Sequence, residues 1–333
     1  MTAASITKAP TECRTIANRY RLSKRVGSGG MGTVFEATDQ ITKHRVAVKL
    51  VRPECAYNAE VVARFFREAR LASRISHPNV AAILQAGRCQ SEDCFYVVQE
   101  FLDGPTLRDE LTQNGSLSIA RARELLVPLM KGTVSAHLVG VVHRDIKPEN
   151  IVLADSPSGA RATLIDFGLA KSIDERTERV TVTGVAVGTP LYMSPEQARG
   201  VKDIDARADV WAMGVIWFEA LTGRPPFRGK SSLAVLTELL LGQIPRIESC
   251  NPNVPAALAG VIHRALERDR SVRYRTMFEF VAALEACLDA LAIEDDSPVR
   301  DDRPRHSDIW PVAPTERFTG VEVELKGVEP STS

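Results

Sequence analysis

No CxxC pair occurs in this chain, and its six cysteines (Cys13, Cys55, Cys89, Cys94, Cys250, Cys287) are scattered. Cys89 and Cys94 lie closest, with no histidine at metal-ligand spacing around them, so the pattern speaks for reduced thiols and against a zinc site or disulfide framework. No uninterrupted apolar run reaches the roughly 20 residues that a bilayer requires. Residues 233–241 are too few and carry Glu238, and residues 281–293 carry Glu285 and Asp289. The first residues include Lys8, Glu12 and Arg14 without an apolar stretch, which argues against a secretory signal. An excess of one charge sign is lacking too: 42 Lys plus Arg balance 42 Asp plus Glu, so no net field points to nucleic acid or an anionic membrane. Internal repeats are absent. These absences predict a soluble, cytoplasmic protein with neither a membrane span nor a nucleic-acid partner.

What is present suits a globular chain of 333 residues, 44% hydrophobic and 25% charged, with apolar mass for a core and length for two lobes. Residues 1–18 are polar and unpatterned and read as a flexible leader. Between 20 and 50, β-branched and apolar residues form short runs broken by glycines and by Asp39-Gln40, the texture of strands joined by turns. The period becomes helical over 59–75, and 96–101 is again strand-like. Beyond Gly104 the spacing predicts helices over 116–139, 206–221, 232–241, 256–267 and 277–293. From 294 onward, acidic residues, prolines and a Ser/Thr-rich end describe a disordered tail. The expected class is α+β, with a β-rich lobe over 19–102 and a larger helical lobe over 103–293.

Gly27-Ser28-Gly29-Gly30-Met31-Gly32 fits GxGxxG, which alone is a weak signal because dinucleotide-binding folds use it too. A dinucleotide site needs a helix after the glycines, whereas Thr33, Val34 and Phe35 lead a β-rich stretch into a turn at Asp39. A strand-turn-strand glycine loop can lay its backbone N–H groups over phosphates with no Cβ in the way. A plain glycine-rich hairpin would carry the same letters. A second phosphate-loop candidate over 223–231 fails, because five residues separate its glycines and Pro225-Pro226 forbids the tight turn.

Lys49 stands in the apolar stretch Val46-Ala47-Val48-Lys49-Leu50, either facing a site or pointing outward from an edge strand. The next helix puts Val61, Phe65, Glu68, Ala72 and Ile75 on one face, so Glu68 interrupts a stripe that should be buried. A buried carboxylate needs a cation, and Lys49 is the expected one.

The segment His143-Arg144-Asp145-Ile146-Lys147-Pro148-Glu149-Asn150 is far more specific, and Asp166-Phe167-Gly168 follows 16 residues after Asn150. Phosphoryl transfer asks a protein for positioning and charge neutralisation rather than covalent chemistry. Asp145 can accept a hydroxyl proton, Lys147 can neutralise a moving phosphoryl group, and Asn150 and Asp166 offer the oxygen donors that magnesium prefers.

With these motifs, and with Gly29-Gly30-Met31-Gly32 and Tyr192-Met193-Ser194-Pro195-Glu196, the chain resembles the bacterial branch of the eukaryotic-like protein serine/threonine kinases over about 20–291. The resemblance implies the two-lobed protein kinase fold, ATP with Mg2+ (Mn2+ as a substitute), protein substrates, and a transient homodimer for autophosphorylation. It implies catalytic roles for Asp145 and Lys147, metal ligation by Asn150 and Asp166, and a Lys49–Glu68 pair that aims the ammonium at the phosphates. Val26, Gly27, Ser28, Gly29, Gly30, Met31, Gly32 and Val34 would cover ATP, with Val26, Val34, Ala47 and Val152 around adenine and Glu100 to Leu102 as the hinge. Thr189, in the substrate loop, implies Ser/Thr rather than Tyr acceptors. Glu196 would pair with Arg273, Asp209 would brace the catalytic loop, and Thr181 and Thr183 would be the regulatory phosphosites. Departures from the family pattern are Ser194 for alanine, Gln99 at the gatekeeper position, and Pro128 inside the helix predicted over 116–139, which should bend it or delay its start.

Overall fold

The computed structural model describes residues 14–29, 32–51, 59–89, 94–157, 159–166 and 190–295. Its first half is a sheet. Strands β1 (Thr15–Ile16), β2 (Tyr20–Gly29), β3 (Gly32–Asp39) and β4 (Arg45–Val51) are followed by helix α1 (Ala59–Ala72), then β5 (Ile83–Cys89) and β6 (Cys94–Glu100). The six strands pair antiparallel in the order β1-β2-β3-β4-β6-β5.

The two-residue alternation of a strand explains how this sheet serves two cores. On β4, Val46, Val48 and Leu50 join Ile16, Tyr20, Leu22 and Val98 in a small cluster on one face. Val51, of opposite parity, packs with Phe65, Ala69 and Ala72 of α1 in the large cluster that continues into the helical lobe. Lys49 shares the parity of Val51 and lies on a central strand, which removes the edge-strand reading of that lysine.

The second half is helical: α2 (Leu107–Asn114), α3 (Ile119–Leu138), a 3-10 turn (Pro148–Asn150), the hairpin β7 (Ile151–Ser156) and β8 (Gly159–Leu164), then α4 (Pro195–Ala198), α5 (Arg207–Thr222), α6 (Ser232–Leu241), α7 (Ile247–Cys250), α8 (Ala256–Ala265) and α9 (Met277–Asp295). Helix α5 is the axis of this lobe. Every residue from Ala208 to Leu221 is buried, as expected of a helix that is apolar all round. Among the described residues no helix is long and apolar enough to cross a membrane.

Helix α3 starts at Ile119 under a Ser118 cap and carries Pro128 within it to Leu138. An interior proline costs about 3 kcal/mol. Here Leu125, Leu126, Val127, Leu129 and Met130 are all buried around it, and burying each large apolar side chain contributes about 1.5–3 kcal/mol. Packing therefore outweighs propensity. At the ends, the sheet reaches back to Thr15, with Ile16 fully buried, and α9 runs to Asp295, two residues past 293. Most of the expected leader and tail, 1–13 and 296–333, lies outside the described residues.

Candidate active site

The turn Pro148–Asn150 folds the segment from His143 to Asn150 back on itself. Lys147 Nζ lies 2.9 Å from Asp145 Oδ2, and the Asn150 amide nitrogen donates to the Asp145 carbonyl at 2.8 Å and to its carboxylate at 3.2 Å. Asp145, Lys147 and Asn150 thus form one cluster. Its base is a buried carboxylate at the start of α5: Asp209 accepts from the backbone N–H groups of His143 and Arg144, each at 2.8 Å, and meets His137 Nε2 at 2.8 Å. Burial opposes a charge on Asp209, but the His137 hydrogen bond and the nearby histidines outweigh it and hold its pKa below the ordinary aspartate range. The expected bracing role of Asp209 is what these bonds perform.

His143 is completely buried, and burial pushes its pKa down. Its Nδ1 accepts from the Asp145 N–H at 3.2 Å while Nε2 faces the Ile165 carbonyl at 3.1 Å, a pair of partners that selects the neutral Nε2–H tautomer. The imidazole therefore ties this segment to the residue before Asp166. Arg144, next to it, holds a left-handed backbone conformation (φ 63°), which costs about 1–2 kcal/mol and is held by the Asp209 and Gln197 bonds on either side.

Asp166 follows β8, also left-handed (φ 58°), and its two carboxylate oxygens lie 2.5 and 2.7 Å from Lys49 Nζ. The partner expected for Lys49 was Glu68; the ammonium bonds described here go to Asp166. Glu68 sits half-buried on α1 with interactions of its own.

Around this pair, Val34 stands opposite Lys49 across β3–β4, and Ala47 stands opposite Gln99 across β4–β6. Ala47 and Val152 are buried, Val34 and Leu102 half-buried, and Val26 and Glu100 exposed. Val26 occupies the register shift between Arg25 and Gly27, and Val152 bridges to Thr106 just beyond the expected hinge. The glycines divide into two kinds. At Gly32 an added Cβ would lie 2.1 Å from the Leu50 carbonyl oxygen, so the β3–β4 approach itself requires glycine. At Gly27 it would meet no atom of the described residues within 4 Å, so packing among them does not account for that glycine. Gly30, Met31, Thr181, Thr183 and Thr189 lie outside the described residues.

Among the described residues no group of three His, Cys, Asp or Glu side chains could hold a metal unaided. Asp166 and Asn150 supply two hard oxygen donors. That donor set fits magnesium, which takes one or two protein oxygens and completes its shell with phosphate and water.

Sequence reasoning missed a second network beside this cluster. Arg108 of α2 donates to Glu149 at 2.8 Å, to Glu219 at 2.7 Å and to the Tyr192 hydroxyl, and that hydroxyl in turn donates to Glu219. Burial, with the Glu219 charge beside it, pushes the Tyr192 hydroxyl far above the ordinary tyrosine range. A signal was available, since Glu219 is a lone carboxylate inside the apolar run of α5. The expected Glu196–Arg273 pair is present and buried, bidentate at 2.8 and 2.6 Å.

Comparison with known proteins agrees with this geometry. A family described as the protein kinase domain matches residues 20–282. Serine/threonine-protein kinase PrkC of Bacillus subtilis is 35% identical over 277 residues, 83% of this chain and 42% of that protein. Serine/threonine-protein kinase PknA of Mycobacterium tuberculosis is 35% identical over 275 residues, 82% of this chain and 62% of that protein. The chain thus spans about two fifths of one relative and three fifths of the other. The crystal structure of the M. tuberculosis PknI kinase domain superposes with a TM-score of 0.66, covering 84% of this chain and all of that one, and at 24% identity the likeness is one of fold. The chain belongs to the protein kinase family.

Proposed function

We propose that this chain transfers the γ-phosphoryl group of ATP to serine and threonine hydroxyls of other proteins. The observation that carries the reading is the Asp145–Lys147–Asn150 cluster, held within 3.2 Å and pinned through His143 to the segment bearing Asp166. Asp145 receives the proton of the attacking hydroxyl, and Lys147 offsets charge on the group in transit. Lys49 and the backbone N–H groups of residues 27–32 hold the phosphates. Val26, Val34, Ala47 and Val152 enclose the adenine, whose edge bonds the backbone at Glu100 and Leu102. Asn150 and Asp166 hold Mg2+, or Mn2+ in its place, which supplies positive charge to the phosphate oxygens when bound. The catalytic unit spans 19–293, and the cytoplasm, where ATP and free thiols coexist, is its setting. Chelation with EDTA should stop ATP-dependent labelling of a generic basic protein, and added Mg2+ or Mn2+ should restore it. Labelling that survives chelation would overturn the metal assignment.

The same reading includes activation by autophosphorylation at Thr181 and Thr183, in a transient homodimer. Arg144 is the cation for the purpose, because its backbone is fixed beside Asp145 by Asp209 and Gln197. A phosphothreonine brings about −1.5 to −2 charges and three strong acceptors to such a group. After incubation with Mg–ATP, mass spectrometry should find phosphate on both threonines, and Thr181→Ala/Thr183→Ala should turn over about tenfold more slowly or worse. Full activity of that variant, with no phosphate on the parent, would refute the switch.

A further inference from the structure

The chain continues from Glu196 into a cavity of about 410 Å³ lined by Glu196, Arg199, Val201, Arg268, Asp269 and Arg270. None of its lining residues belongs to the Asp145–Lys147–Asn150 cluster. Its lining carries three guanidinium groups against two carboxylates, of which Glu196 is ion-paired and Asp269 keeps its charge. The two oxygens of Glu196 accept from buried Arg273, and Asp269 accepts from the Ser271 N–H and hydroxyl at 2.8 and 2.7 Å.

The arginines are not neutralised to match. Arg268 spends Nε and Nη2 on main-chain carbonyls at the end of α6, those of Leu239 (2.7 Å), Glu238 (3.1 Å) and Gly242. These acceptors carry no charge, and among the described residues its Nη1 makes no hydrogen bond. Arg199 is exposed and makes no hydrogen bond or ion pair through its guanidinium among the described residues. Arg270 donates to the Asp203 carbonyl at 2.8 Å and meets the carboxylates of Asp203 and Asp205 only at 3.7 and 3.8 Å. Asp205 is itself held by Arg207 through bonds of 2.7–3.1 Å. Burial lowers the pKa of Arg268, and the charge of Arg199 lowers it further against the opposing pull of Glu238 and Glu267.

We propose that this cavity is an anion-binding site for the phosphate class, with Arg199, Arg268 and Arg270 as its donors. Guanidinium forks match the geometry of a phosphate's oxygens and remain charged at any physiological pH. The phosphate could arrive on a phosphorylated protein segment or as the free ion. The site goes beyond the phosphoryl-transfer reading and is tested by binding and thermal melting, so failure of one leaves the other standing.

The test is binding of a fluorescent phosphothreonine peptide to the full chain, beside its unphosphorylated twin and with inorganic phosphate as competitor. Phosphorylation should tighten binding by about tenfold or more, the range of one or two charge-assisted hydrogen bonds. Arg199→Glu and Arg270→Ala should each abolish that gain. Arg199→Glu should melt at the parent temperature, which establishes that it is folded. Displacement by inorganic phosphate at concentrations comparable to the peptide assigns the site to the free ion. Displacement only at much higher concentrations assigns it to protein-borne phosphate. Equal affinity for the two peptides without inorganic phosphate binding, or an unchanged gain in both variants, would overturn the proposal.

Discussion

Asp166→Asn should abolish phosphoryl transfer and leave the protein folded. The substitution keeps size and shape and removes one charge. Asparagine also tolerates the left-handed backbone that Asp166 adopts at φ 58°, so no new strain enters. What disappears is the charged oxygen donor proposed for the metal and the anion that holds Lys49 at 2.5–2.7 Å. Loss of one electrostatic contact to the transition state costs about 10²–10³ in kcat, and loss of a metal ligand together with a lysine anchor should exceed that range. The checks are kcat with a basic protein substrate and thermal melting. A folded variant with near-normal turnover would remove Asp166 from the chemistry.

Lys49→Met should lower turnover by about 10²–10³, since a butyl-like chain of similar length fills the space and cannot bind phosphate. Because the ammonium and the Asp166 carboxylate form one unit, Lys49→Met combined with Asp166→Asn should be scarcely worse than Asp166→Asn alone. Glu68→Gln, from its half-buried place on α1, should cost less than either single change. A combined loss equal to the product of the two single losses would mean that Lys49 and Asp166 act independently.

Much of this was legible in the residues because the relevant forces are local. Helix α6 begins and ends where expected, since Ser231 caps it and Gly242 stops it. The glycine loop declared its strands through the β-branched residues after Gly32, and the eight residues from His143 to Asn150 declared a cluster that one turn of backbone assembles. Strand β1 was not legible, because two residues cannot display a period; Ile16 is buried only because β2 passes beside it. Helix α2 was passed over although Thr106 and Asp109 write a capping box at its start. The partner of Lys49 was beyond sequence reasoning for a different reason. Asp166 lies 117 residues away, and finding it required knowing how the chain turns after β8. Arg108 posed the same difficulty, reaching Glu219 across 111 residues.

The account stands or falls on transfer itself. The chain, incubated with Mg–ATP labelled in the γ-phosphoryl group and a basic protein, should place label on serine and threonine of that protein, and Asp145→Asn should reduce it to background. Equal labelling by Asp145→Asn, or no label on serine or threonine with the parent chain, would contradict it.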